Sequence, residues 1–264
     1  MTFASPFSRV FERPFGGVPS SATILPTDIT GCVLWYDCSD IDTMFTDAGT
    51  TNVVNNNDLI YQLNDKSGQN NHATQTTENK RPLYSTNIQN SLSAAYADGV
   101  NDSMVVPSLT LTNYTVFVSY KYLVRATINV AAAWDNYPAS PRQGLLIMAF
   151  NGDQMDYEGY VAGTGGLVAN TGTPTGNASY SWDLERNGTA ITANRNGSAL
   201  TGLTVGAGAF SMTGHRLFNH YFTSAEQNQW GKMYLYEYII YNSALGASDL
   251  ALVRTYLNTK WAMY

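Results

Sequence analysis

Hydrophobic and polar residues alternate along most of this chain, and the alternation is broken at short intervals by turn-forming residues. Tyr114-Thr115-Val116-Phe117-Val118-Ser119-Tyr120-Lys121-Tyr122 places Val116, Val118, Tyr120 and Tyr122 on one face, the two-residue period of a strand. Residues 145–150 are an apolar run short enough for a buried strand. Residues 180–186 and 189–195 flank Asn187-Gly188, which supplies the two positive-φ positions of a type I′ turn and predicts a hairpin. A second Asn-Gly at 196–197 continues the meander, and residues 233–241 form the last strand the pattern predicts. Residues 163–177, rich in Gly, Thr and Asn, read as a long loop. Closely spaced turns with few helical stretches predict an all-β fold, a two-sheet antiparallel jelly-roll sandwich.

One segment has a helical period. Leu250, Val253, Leu257 and Trp261 form a single apolar stripe, with Ser248 placed to cap it and Asp249 in the first turn. This predicts a short C-terminal helix packed on the sheets as a latch. The N-terminus differs from the rest. Phe3, Phe7, Phe11 and Phe15 recur with Arg9 and Arg13 between them, but Pro14 would break a helix at that spacing. Residues 1–22 therefore read as an extended aromatic arm ahead of a domain at 23–264. With two Arg and one Glu, the arm carries +1 and the remainder −7 of the net charge of −6. Such an arm can dock Phe3, Phe7, Arg9, Phe11, Arg13 and Phe15 on an acidic neighbour. It can equally fold back on its own domain or hang as a tail.

Composition narrows the partners. Charged residues make up 13% of the chain, about half the usual share, so the 18 Tyr and the Asn, Ser and Thr must supply the polar surface. Hydroxyls and amides are cheaper to desolvate than ions, which suits sugar-binding faces and crowded assemblies alike. The negative charge argues against a nucleic-acid partner. No run of 18 or more apolar residues predicts a membrane span, and the first residues lack the apolar core of a secretion signal. Cys32 and Cys38 bracket a predicted strand, which holds their Cα atoms about 20 Å apart, beyond the roughly 7 Å reach of a disulfide. Two free thiols predict maturation in a reducing compartment.

Trp35-Tyr36-Asp37, Asn64-Asp65-Lys66-Ser67-Gly68 with Asn71-His72-Ala73, Arg81-Pro82, Asp98-Gly99-Val100-Asn101-Asp102 and residues 236–245 resemble a laminin-G-like domain. That is a form of the concanavalin A-like lectin/glucanase superfamily found in bacteriophage virion and bacterial surface proteins. The resemblance covers about residues 30–264 and is more specific for fold than for function. It makes Trp35, Asp65, Ser67, Gly68, His72 and Glu237 fold-motif residues. It implies a virion accessory protein on capsid or tail, assembled in the host cytoplasm, with other virion proteins, further copies of itself or surface glycans as partners. The alternative it implies is an adhesion module recognising host or environmental glycans. Many relatives hold calcium in loops; Asp58, Asp65, Asp98 and Asp102 offer oxygens here without an EF-hand spacing.

Catalysis is not expected. Glucanases of that superfamily place three carboxylates on one strand face, two acting as nucleophile and acid/base. The nearest match is Gln154-Met155-Asp156-Tyr157-Glu158, where an amide stands at the nucleophile position. His72, His215 and His220 show no zinc spacing with the two cysteines, and no phosphate loop or serine elbow occurs. Glu237, flanked on its strand face by Leu235 and Ile239, reads as a half-buried structural carboxylate.

Overall fold

The computed structural model describes residues 24–123, 129–135, 141–150, 154–168, 172–212, 214–222 and 225–264. The arm residues Phe3, Phe7, Arg9, Phe11, Arg13 and Phe15 lie outside them. The described residues form two nine-stranded antiparallel sheets and a C-terminal helix, the all-β jelly-roll sandwich that the alternation predicts. No described helix is long and apolar enough to cross a membrane.

The first sheet is built around its last strand, Lys232–Tyr241. Tyr114–Tyr122 pairs along one edge of it. The other edge is shared, Leu92–Asp98 pairing with its first half and Cys32–Asp37 with its second. Ser179–Asn187 and Ala190–Arg195 extend the sheet outward from Tyr114–Tyr122. The second sheet runs from Thr164–Val168 through Gln154–Val161, Gly144–Phe150 and Asn129–Asp135 to a series of two-residue strands ending at Met44–Phe45.

Two cores follow from this layering. Between the sheets lie Leu34, Tyr36, Val116, Val118, Tyr120, Leu145, Tyr157, Trp182, Leu235, Tyr238 and Ile240. On the outer face of the first sheet, Trp35, Phe117, Tyr236, Ile239 and Tyr241 meet Val253, Tyr256, Leu257 and Trp261 of the helix Ala247–Trp261. The first sheet is thus apolar on both faces, which is why residues 233–241 lack strict alternation. A β-bulge between Leu235 and Glu237 shifts the register there. As a result Leu235 faces the sister sheet while Glu237 and Ile239 face the helix, so the expected single flank of Leu235, Glu237 and Ile239 does not exist.

Three local expectations are revised. Ser248 is not the helix cap: Gly246 holds that position without a side-chain hydrogen bond, and the helix relies on Asp249 and on packing. Asn187 pairs with Ala190, leaving Gly188 and Thr189 at the hairpin tip; Gly188 alone has positive φ, the pattern of a type II′ turn. The type I′ turn falls instead on Asn196-Gly197, at φ 49° and 73°. Finally, part of the expected loop at 163–177 is the edge strand Thr164–Val168, paired with Gln154–Val161 through a turn at Ala162-Gly163.

Candidate functional site

The motif residues meet in one hydrogen-bonded chain. Asp65 accepts from the Trp35 amide at 2.9 Å, from the Ser67 amide and hydroxyl at 2.8 and 2.7 Å, and from the Asn71 amide at 3.0 Å. The Asp65 amide in turn donates to His72 Nδ1 at 3.0 Å, and Gly68 closes the turn at φ 84°. This ties the loop to the first strand, and His72 serves the loop itself.

Trp35 carries the chain into the second core. Its indole N–H donates to Glu237 Oε2 at 2.8 Å, while the Trp261 indole donates to Oε1 at 2.8 Å. Tyr256 Oη lies 3.1 Å from each oxygen, and Lys260 Nζ is 2.8 Å from Oε1. Glu237 is 1% exposed, so a carboxylate at this depth is tolerable because each oxygen meets donors. Burial, and then the Asp37 charge, push the Glu237 carboxyl above its usual range; Lys260 opposes them. Asp37 goes the other way. Burial would raise it, but Lys260 at 2.7 Å and Lys66 at 3.0 Å hold it below the usual carboxylate range. The rings close the assembly, with Trp261 stacked on Tyr236 at 4.4 Å and Trp35 edge-on to Tyr256 at 6.2 Å. This cluster joins strand, loop and helix.

The oxygens considered for calcium each close their own turn. Asp58 accepts from the amides of Val54 and Asn55. Asp98 accepts from Val100, and Asp102 from Asp98. Among the described residues no cluster of three or more His, Cys, Asp or Glu is placed to hold a metal. His215 bonds Tyr238 Oη at 2.9 Å and His220 bonds Gln229 at 2.7 Å. Cys32 and Cys38 are free, and burial raises the Cys32 thiol to about 12.

Asp102 gives a pH prediction. It is 5% exposed, and burial followed by the Asp98 charge raises its pKa from 3.8 to about 7. The folded state then holds this proton more tightly than the unfolded chain does. Its contribution is greatest below about pH 4 and is lost as pH rises to about 7. Asp102→Asn keeps an acceptor for the Asp98 amide. It is expected to raise the melting temperature over wild type at pH 8, with the gain shrinking toward pH 4; thermal melts across that range check it.

The outer face of the second sheet differs from that of the first, since the helix covers only the latter. Leu63, Ala73, Met104, Leu217 and Tyr157 point into the core, so their neighbours Gln62, Thr74, Val105, Arg216 and Glu158 face outward. Pairing aligns these outward residues in one row across the sheet, ending at Leu167. Val105 and Leu167 are 41% and 47% exposed.

Beside that row, Tyr160 pairs with Gly144 on one side and Gly165 on the other. No side chain therefore stands directly opposite it on either neighbouring strand. The Arg142 guanidinium lies over the ring, 4.0 Å from its centroid, and forms an ion pair with Glu158. Glu158 is the one member of the Gln154, Asp156 and Glu158 set whose side chain is described, and it is engaged by a cation. Arg142 and Tyr160 were not among the residues singled out from sequence. Gly144 and Gly165 on either side of Tyr160 would be the signal, but it appears only once the strands are in register.

No protein-family model and no curated protein matches this chain. Solved structures do. Domain 4 of AbnA, an extracellular arabinanase of Geobacillus stearothermophilus solved with arabinotriose, is 14% identical over 84% of this chain and 98% of its own, with a TM-score of 0.53. The Trypanosoma rangeli sialidase, solved with 2,3-difluorosialic acid, is 11% identical over 88% of this chain, with a TM-score of 0.57. This chain spans 33% of that enzyme. At such identities the likeness is one of fold, a β-sandwich common to all three.

Proposed function

We propose that this domain is a glycan-binding module of the concanavalin A-like kind, without hydrolytic activity, that binds through the outer face of its second sheet. The carrying observation is Tyr160, with no side chain directly opposite it on either neighbouring strand and with Arg142 and Glu158 beside it. An aromatic face accepts the C–H side of a sugar ring, while a guanidinium and a carboxylate offer donors and acceptors to its hydroxyls. The arabinotriose complex of the arabinanase domain supports this reading. The non-catalytic part rests on the amide at Gln154 and on the pairing of Glu158 with Arg142.

On a glycan array followed by titration with the best binder, Tyr160→Ala is expected to weaken binding about tenfold, as loss of an aromatic contact and its buried area implies. The melting temperature should stay unchanged and no reducing sugar should be released. An array with no binder, or wild-type affinity in Tyr160→Ala, would remove this surface from consideration.

A second reading concerns where the module works. The free thiols Cys32 and Cys38 suit a protein assembled in a reducing cytoplasm, in line with display on a phage capsid or tail through residues 1–22. Deleting residues 1–22 should leave the sandwich folded and abolish incorporation into particles. Incorporation at the full-length level would refute the anchoring role.

A further inference from the structure

We infer that the cavity between the β-hairpin of residues 83–98 and the segment following Cys32–Asp37 is a separate site for one neutral monosaccharide unit. Its volume is about 370 Å³ and it opens to solvent, within the roughly 300–1,000 Å³ range of small-ligand sites. Its polar lining is uncharged. Tyr84 stands at its wall with the ring locked in the inter-sheet core, 6% exposed, and its hydroxyl has no hydrogen-bond partner among the described residues. The hydroxyl oxygen is not itself sealed from solvent, so it is free to bond a ligand. Asn87 and Ser91, both exposed, line the same cavity, and their side chains have no hydrogen-bond partner among the described residues. Ile41 and Leu92 add an apolar wall against which the C–H face of a sugar can lie.

The hairpin is held in place from behind. Gln89 Nε2 donates to the Trp261 carbonyl at 2.9 Å, and Asn90 Nδ2 donates to the Lys260 carbonyl at 2.8 Å. Asn87, Asn90 and Ser91 adopt φ of 56°, 49° and 63°, a conformation costly for residues with side chains. The C-terminal helix therefore fixes the wall that presents these groups, a preorganisation that lowers the cost of binding. The Ser39, Thr86 and Ser93 hydroxyls bond Asp37, Asn56 and the Cys38 carbonyl, which leaves Tyr84, Asn87 and Ser91 for a ligand. With no cation among the lining residues, the chemistry selects a neutral polyol over a sialic or uronic acid.

The site is independent of the Tyr160 surface, and the experiment separates the two. Full-length protein is titrated with D-glucose, D-galactose, L-arabinose and N-acetylneuraminic acid, with amide resonances as the readout. At least one neutral sugar is expected to shift the amides of residues 84–93 saturably. Tyr84→Phe, which keeps the ring and hence the fold, should weaken that binding by up to about tenfold, and Asn87→Ala similarly, while Tyr160→Ala leaves it unchanged. Equal binding of N-acetylneuraminic acid at these amides would overturn the inference. So would wild-type affinity in Tyr84→Phe, or the absence of saturable shifts at residues 84–93 with every sugar.

Discussion

Replacing Glu237 with Leu should lower the unfolding free energy by about 3–5 kcal/mol, the usual penalty for removing one partner of a buried ion pair. Leu fits an apolar neighbourhood, but the groups around it do not adapt. The Trp35 and Trp261 indoles can only donate, and both would be left buried without an acceptor. Tyr256 would lose the acceptor for its hydroxyl and keep only the Lys260 donor, and Lys260 would keep only Asp37 of its two carboxylates. Glu237→Gln keeps the volume and one oxygen, yet turns an amide nitrogen toward donor-only neighbours, so it should recover only part of the loss. Guanidinium titrations followed by tryptophan fluorescence would measure both. A loss under about 1 kcal/mol for the Leu variant would show that the helix is held by apolar packing alone.

Arg186→Met is expected to cost about 3 kcal/mol by a different route. Arg186 is fully buried on the inner face of Ser179–Asn187, the face that also carries Tyr180, Trp182 and Leu184. Its guanidinium donates to the carbonyls of Thr112, Gly206 and Gly208 at 2.5, 3.0 and 2.9 Å, and among the described residues no carboxylate pairs with it. Met fills similar space and escapes the desolvation of a cation, which favours the variant. Against that stand three carbonyls left without donors, at about 1 kcal/mol or more each. The carbonyls should win, and amide exchange should accelerate at residues 206–208. Unchanged stability and protection would mean that water replaces the guanidinium.

These two positions show what the sequence made legible. Strands with one wet face declare themselves through alternation, as Ala190–Arg195 does. Tyr114–Tyr122 alternates although both its faces are buried, because Thr115 and Ser119 stand on the helix side. Lys232–Tyr241 was visible as an apolar run, but its bulge and its two differently covered faces depend on a helix beginning beyond it. Arg186 interrupts an otherwise apolar alternation, and that breach was the available signal of a buried guanidinium. The Asp65 turn was readable because its hydrogen bonds are local. Asp37, Lys66, Tyr256 and Lys260, by contrast, join the network from segments up to 223 residues apart. The two Asn-Gly dipeptides form different turns because pairing of the flanking strands, and not the dipeptide, decides which residues sit at the tip. Tyr160 and Tyr84 owe their interest to what is missing beside them among the described residues, a side chain directly opposite in one case and a hydrogen-bond partner in the other.

The placement of Lys232–Tyr241 at the heart of the first sheet governs how the chain is made. Its partners Cys32–Asp37, Leu92–Asp98 and Tyr114–Tyr122 are all synthesised more than a hundred residues earlier. They must wait on the ribosome with open edges until the final strand emerges. The nascent chain therefore acquires its fold late and nearly all at once, along a route of long loop closures that is slow by nature.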